Sequence, residues 1–255
     1  MPIATAEKRR NFHEMHREGC FLLPNPWDLG SLRRLEAMGF RAVASTSSGL
    51  AWTRGRKDYE LDRATVLDHL AELAGATDLP VNADFENGFA EAPEGVAESV
   101  TLAVATGIAG LSIEDAADGR LYERDLAVAR IAAARAAIDA AGGDTLLVAR
   151  SEAYLVGRPD LPEVIARLTA FAAAGADCLY APGMTDLDEI EATVRAVAPK
   201  PINVLMRGPE MRVADLAARG VRRVSVGGAL AAAAWAGFDA AARLFLEEGR
   251  VPPRR

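Results

Sequence analysis

The stretch 79–88, LPVNADFENG, decides how the rest of the chain is read. It begins as a short apolar strand and ends in two carboxylates, Asp84 and Glu86, one residue apart. Residues i and i+2 of a β-strand point the same way. Asn82, Asp84 and Glu86 are therefore expected on one face, and Val81, Ala83 and Phe85 on the other. Packing does not readily explain two acids on one face at a strand's carboxyl end. The stretch 110–115, GLSIED, repeats the arrangement, with Leu111 and Ile113 facing one way and Ser112 and Glu114 the other. Neighbouring strands lie about 4.8 Å apart, so Asp84, Glu86 and Glu114 can converge within reach of one cation.

Outward from these two segments the chain alternates. Apolar strand candidates recur at 20–25, 41–47, 79–86, 110–115, 145–152, 178–182, 201–206 and 223–227. Helical patterns fill 29–38, 61–76, 93–106, 123–141, 160–174, 186–198, 211–219 and 229–248, behind a leading amphipathic helix at 6–18 with Thr5 as its N-cap. Gly39, Gly107, Gly175 and Gly220 stand where helices should end. Short strands each followed by a helix predict an α/β fold. A single (β/α)8 TIM-type barrel over residues 1–255 fits better than a doubly wound sheet. In such a barrel the site lies at the strands' C-terminal mouth. Polar residues collect there: Asn25, Ser45–Ser48, Asp84, Glu86, Glu114, Arg150, Glu152 and Asn203. Two long connections, 47–59 (SSGLAWTRGRKDY) and 115–123 (DAADGRLYE), read as loops over that mouth.

The 255 residues are half hydrophobic and one quarter charged, ample material for a core. A net charge of -7 without a Lys/Arg cluster argues against a nucleic-acid partner. No run of eighteen apolar residues and no signal-peptide pattern appear, so neither a membrane partner nor export is expected. Cys20 and Cys178, far apart and near strand starts, read as free thiols of a cytoplasmic protein. Arg254–Arg255, after Pro252–Pro253, read as a solvated terminus.

The candidate chemistry follows by elimination. His13, His16 and His69 fall on helices away from the mouth, as surface or interhelical residues, which removes a His base or His-bound zinc. Neither cysteine sits at a strand's C-terminal end, which removes a thiolate nucleophile. Asp84, Glu86 and Glu114, joined by Asp58, form an all-carboxylate set, and clustered anions need protons or a hard cation. Oxygen ligands favour Mg²⁺, with Mn²⁺ the other candidate; capping of helices or pairing with Arg54, Arg56 or Arg120 is the plainer alternative. Arg150 should point inward with Leu146 and Val148, its planar fork suited to a substrate carboxylate, unless it pairs with Glu86 or Glu152. Ser47–Ser48–Gly49–Leu50 reads as a turn able to present N–H groups to an oxyanion, or as a plain loop. Gly227–Gly228 reads equally as a phosphate-binding turn or a tight one.

With those residues assembled, the chain resembles the isocitrate lyase / phosphoenolpyruvate mutase superfamily. The likeness rests on NPWD (25–28), SSGL (47–50), GRKD ending at Asp58, ADFENG (83–88), SIED (112–115) and ARSEA (149–153), in that order on successive strand ends. The resemblance implies a β/α barrel with a Mg²⁺ site in which Asp58, Asp84, Glu86 and Glu114 act directly or through waters. It implies that Arg150 binds the substrate carboxylate, and that Ser48, Gly49 and Leu50 hold a 2-oxo acid or its enolate. It implies a C–C or P–C bond broken or formed beside a pyruvate-like unit through a metal-bound enolate. It also implies dimers or tetramers that exchange the last helix, for which 229–248, with Trp235, Phe238, Leu244 and Phe245, has apolar faces.

The sequence also departs from the family pattern. Glu86 stands where close relatives usually have aspartate. The Lys-Lys-Cys-Gly-His loop of the lyases is replaced by Ala116-Ala117-Asp118-Gly119-Arg120-Leu121-Tyr122, and the mutase's lysine- and asparagine-bearing gate is missing. Ala181–Pro182–Gly183 lacks the glutamate common in methylisocitrate-type lyases. Tyr122, Glu152 and Tyr154 are the acid/base candidates by position, with Asn203 as a further substrate contact. The resulting expectation is a Mg²⁺-dependent carbon–carbon lyase, of 2-methylisocitrate lyase or oxaloacetate decarboxylase type. Phosphonomutase or phosphonopyruvate hydrolase chemistry is the alternative, and non-catalytic 2-oxo acid binding or a phosphosugar site at Gly227–Gly228 are readings of other classes.

Overall fold

Parallel strands covered on both faces read as short, near-continuous apolar runs, and eight such runs pair side by side in the computed structural model of the protein, which describes residues 3–253. The strands are β1 (Phe21–Leu23), β2 (Val43–Ala44), β3 (Val81–Asp84), β4 (Gly110–Glu114), β5 (Ala116–Ala117), β6 (Arg120–Leu121), β7 (Leu146–Arg150), β8 (Cys178–Tyr180), β9 (Ile202–Leu205) and β10 (Arg223–Ser225). The helices are α1 (Thr5–Met15), α2 (Leu29–Ala37), α3 (Ser47–Thr53), α4 (Arg63–Ala76), α5 (Pro93–Ala105), α6 (Arg124–Ala140), α7 (Leu161–Ala173), α8 (Leu187–Val197), α9 (Val213–Ala218) and α10 (Ala229–Glu248). The sheet runs β1-β10-β9-β8-β7-β4-β3-β2, every pairing parallel. Its two ends meet where the Ala44 amide donates to the Pro24 carbonyl (3.0 Å), so the expected (β/α)8 barrel is nearly closed.

Alternation along each strand divides the core. Inward-facing Leu23, Ala44, Leu146, Val148, Cys178 and Tyr180 fill the barrel, while the outward set, Leu111, Ile113, Leu147, Ala149 and Leu179 among it, packs on the helices. At the N-terminal end α1 forms the floor. Phe12, fully buried, enters the barrel so closely that a Cβ on Gly110 would meet its ring at 2.8 Å; only glycine leaves that room. Arg9 fixes the helix by donating to the Ile108 and Val104 carbonyls (2.9 Å each).

Several local expectations are corrected. Ala4, not Thr5, is the cap of α1, without a side-chain bond. His16 is buried rather than superficial: its Nδ1 hydrogen-bonds the Phe12 carbonyl (2.7 Å) and its ring packs edge-on against Phe12 and Phe21. The start of the long 47–59 connection is helix α3, because Thr46 accepts from the Gly49 amide and caps it. The 115–123 connection is a tight antiparallel β5–β6 hairpin. Arg254 and Arg255 lie outside the described residues. The last helix, α10, stands away from the body with only Ala231 buried, and Phe238, Phe245 and Leu246 are exposed. By length and composition it could also cross a membrane, with a mean hydropathy of 1.3.

Candidate active site

The register of neighbouring strands assembles the mouth. Glu114 on β4 pairs with Arg150 on β7, and Asp84 on β3 pairs with Ser112 on β4. Arg150 Nη1 lies 2.7 Å from Asp84 Oδ1 and 2.9 Å from Glu114 Oε1, and Nε donates to Glu152 Oε1 at 2.8 Å. Arg150 points inward as expected. Its pairing with Glu152 is the alternative weighed above, and Asp84 and Glu114 share the same guanidinium. Burial works to lower the Arg150 pKa, yet Glu114, Glu152 and Asp84 together hold it well above its ordinary value. Burial pushes Glu114 well above the usual carboxylate range, against the pull of Arg150.

Glu86 is close by but not in strand register. Its φ of 49° is left-handed, β3 stops at Asp84, and the i+2 argument therefore does not reach it. Its buried carboxyl is pushed up to about 8, by burial first and then by Asp84 and Asp58. Asp58 is raised too, by burial and then by Asp84, and its Oδ1 is buried without a hydrogen-bond partner. Asp58, Asp84 and Glu86 thus face one another with too little positive charge among them. Among the described residues no three acid, histidine or cysteine side chains are close enough to hold an ion by themselves.

The 47–50 segment behaves differently from the turn expected. Asp84 Oδ2 accepts from the Ser47 amide (3.0 Å) and hydroxyl (3.1 Å). Ser48 lines the cavity, its Oγ 3.0 Å from Thr46 Oγ1. The Leu50 amide closes on the Thr46 carbonyl (3.0 Å) and the Gly49 amide on Thr46 Oγ1, so helix formation has taken both proposed donors. Gly49 is needed for packing instead: a Cβ there would meet Trp27 Cβ at 2.8 Å.

Three other expectations shift. Asn203 lies early in β9, below the mouth, and its amide is held by Ser225 Oγ (3.0 Å) and Arg223 Nε (2.9 Å). Tyr154 donates to Glu189 Oε2 (2.7 Å), away from Arg150. Tyr122 stands in a neighbouring chamber, where its hydroxyl accepts from Asn87 Nδ2 (2.9 Å) and its ring lies 4.1 Å from the Arg130 guanidinium. Glu152 is buried behind Arg150, its amide donating to Asp115 Oδ1 (2.8 Å).

Sequence reading missed Tyr59. A φ of 65° turns it back over the mouth, and its hydroxyl donates to Glu114 Oε2 at 3.0 Å. Burial, then Glu114, raises its pKa and keeps the phenol protonated. No local pattern announces a left-handed tyrosine. Asn25, part of NPWD, ties strand ends together: it donates to the Ser45 carbonyl and accepts from the Val226 and Gly227 amides. That last bond also uses one of the amides that a phosphate at Gly227–Gly228 would need.

Tyr59, Asp58, Glu114 and Leu155 line both of two adjoining spaces. The inner one, about 160 Å³, holds Arg150, Asp84 and Ser48; the outer one, about 670 Å³, lies toward the β5–β6 hairpin.

The phosphoenolpyruvate phosphomutase family model matches residues 12–246. The chain belongs to that family. A candidate lyase/mutase from Burkholderia cenocepacia has the same fold at TM-score 0.93, with 49% identity over 97% of this chain and 91% of that one. An uncharacterised protein of Mycobacterium tuberculosis is 34% identical over 85% of this chain and 81% of its own length. An oxaloacetate decarboxylase of a Bradyrhizobium species is 30% identical over 82% and 73%. Relatives in the phosphomutase family thus include a decarboxylase, and the same fold carries enzymes that act on small carboxylates.

Proposed function

We propose that the protein is a divalent-metal-dependent carbon–carbon lyase or decarboxylase acting on a 2-oxo acid, or on the precursor of one, through an enolate. The observation that carries this reading is the meeting of Asp84 and Glu114 on a single guanidinium beside two further buried acids, Glu86 and Asp58. The oxygen-only donors and the orphaned Asp58 Oδ1 fit a hard cation, Mg²⁺ or Mn²⁺. Asp58, Asp84, Glu86 and Glu114 would hold it, with water completing the shell because the side chains alone are not close enough. When bound, such an ion supplies Lewis-acid polarisation of the substrate's oxygens.

The chain's own groups do the rest. Breaking the bond leaves its electron pair on a carbon next to a carbonyl, and the resulting negative oxygen needs fixed positive partners. Arg150, released from one of its carboxylates, offers a bidentate fork for the substrate carboxylate, and Ser48 offers a hydroxyl beside it. Tyr59 covers the inner space and limits water there. Glu152 and Tyr122, one behind Arg150 and one in the outer chamber, are the groups able to take and return a proton. The whole chain acts as one barrel domain. The exposed apolar face of α10 supports its exchange between subunits of a homodimer or homotetramer rather than a membrane span. The two free cysteines suit a cytoplasmic enzyme.

The test is turnover of 2-methylisocitrate, oxaloacetate and phosphonopyruvate, each with Mg²⁺ and with EDTA. Metal-dependent release of pyruvate from either carbon substrate is expected. Ligand-induced stabilisation with no consumption of any substrate would instead make the protein a binder, and consumption of phosphonopyruvate alone would make it a P–C enzyme.

A further inference from the structure

The outer chamber speaks to the part of the substrate that the Arg150 space cannot hold. Once Asp58, Glu86 and Glu114 are assigned to the cation, and Glu152 to Arg150, the ionisable carboxylates left on its wall are Glu91 and Asp118. Among the described residues no lysine, arginine or histidine lines it. The remaining surface is Phe89, Leu61, Leu155 and Val156, with the polar tips of Asn87 and Tyr122. The buried guanidinium of Arg130 is unavailable to a ligand: it donates to the Glu114, Asn87 and Ala90 carbonyls behind the wall, under the Tyr122 ring.

A second carboxylate or a phosphonate reaching this chamber would find no basic side chain on its wall and would face Glu91 and Asp118 at its exposed rim. Desolvating an anion against like charge is costly, whereas an alkyl, hydroxyalkyl or ammonium-bearing arm finds apolar wall and complementary charge. From this charge distribution, and resting on the reading of the Arg150 space as a 2-oxo acid site, we infer that, among substrates long enough to reach the outer chamber, the enzyme prefers those whose second arm is neutral or cationic there. Of two 2-oxo acids of matched shape, the one with the anionic arm is then the weaker ligand.

The test uses shape-matched pairs in isothermal titration of the full-length protein with Mg²⁺. Oxalate, which has no arm, probes the inner space alone. The anionic-arm ligand 2-oxoglutarate is compared with its neutral counterpart 5-methyl-2-oxohexanoate, in which two methyl groups replace the distal carboxylate oxygens. The neutral ligand is expected to bind about tenfold more tightly, a difference of the size one unfavourable charge contact gives. Glu91→Arg, at the rim and outside the proposed catalytic set, is expected to narrow or reverse that preference while leaving oxalate affinity unchanged. If oxalate binds but 2-oxoglutarate equals or exceeds the neutral ligand in the unaltered protein, the selectivity inference is overturned and the 2-oxo acid site stands. If the preference is present but Glu91→Arg leaves it untouched, chamber charge is not its cause and the inference also falls. If oxalate fails to bind with Mg²⁺, the 2-oxo acid reading itself falls.

Discussion

The two ends of the barrel treat buried charge in opposite ways. At the floor Arg223, fully buried, has no carboxylate partner among the described residues. Its Nε donates to Asn203 Oδ1, and its Nη1 reaches Asn82 Oδ1 (3.3 Å) and His16 Nε2 (3.4 Å). At the mouth Arg150 faces three carboxylates within 3 Å, with Glu86 and Asp58 beyond. The floor satisfies one cation with neutral oxygens and a neutral imidazole, at the bottom of the inner space that Arg150 lines above. The mouth gathers more negative charge than it can neutralise, which a protein tolerates where binding compensates it. An end optimised for stability and an end held away from it should respond oppositely to the same kinds of perturbation.

The largest separation is expected from Asp84→Ala. It should lower metal-dependent turnover by at least about 10³-fold, since Asp84 joins Ser47 of α3 to Arg150, while circular dichroism and melting temperature stay close to the unaltered protein. Near-normal kcat/KM would remove the mouth from the chemistry. Phe12→Ala should do the reverse. Emptying the barrel floor should cost about 3–5 kcal/mol in urea unfolding and leave KM unchanged wherever the protein is still folded. A loss well under 1 kcal/mol would mean that α1 does not plug the barrel.

Glu86→Gln should stabilise the protein in EDTA by about 1–3 kcal/mol near pH 8 while reducing Mg²⁺ affinity. The sign follows from the folded-state pKa, raised to about 8. Between the unfolded value of 4.5 and about 8 the folded state binds more protons, so this group's contribution falls as pH rises through that window. His16 runs the other way. Its pKa is lowered from 6.5 to about 3 by burial and then by Arg223, so the unfolded state binds the extra proton between those values. Stability should fall on acidification across that window, by at most about 1.4 kcal/mol per pH unit. Chemical denaturation of His16→Gln in EDTA should show a shallower acid slope; an unchanged slope would place the acid-sensitive group elsewhere.

Most of the architecture was legible because parallel strands are apolar on both faces and glycines end the helices. Asp84, Glu114 and Arg150 were legible for the same reason: side chains alternate faithfully as long as the backbone stays extended. Legibility ended where it does not. Glu86 and Tyr59 both sit at positive φ, which neither residue type announces, so one left the expected face and the other arrived at the mouth unforeseen. Ser47–Leu50 contains Ser-Ser-Gly, a turn signal locally, but Thr46 and the Asp84 carboxylate make it a helix start. Asn203 was misplaced by its position within β9, since a strand's polar residue near its beginning points to the floor network rather than to the mouth.

The join between β1 and β2 carries a consequence for how the molecule comes apart. The other junctions of the ring are laddered pairings, whereas this one has the Ala44–Pro24 bond, backed by the side chain of Asn25 reaching from β1 to Ser45 and to the amides after β10. Amide hydrogen exchange should therefore begin along this seam, and Asn25→Ala should make the sheet unzip from there, disordering the loops around Arg150 before the hydrophobic layer beneath the helices loosens.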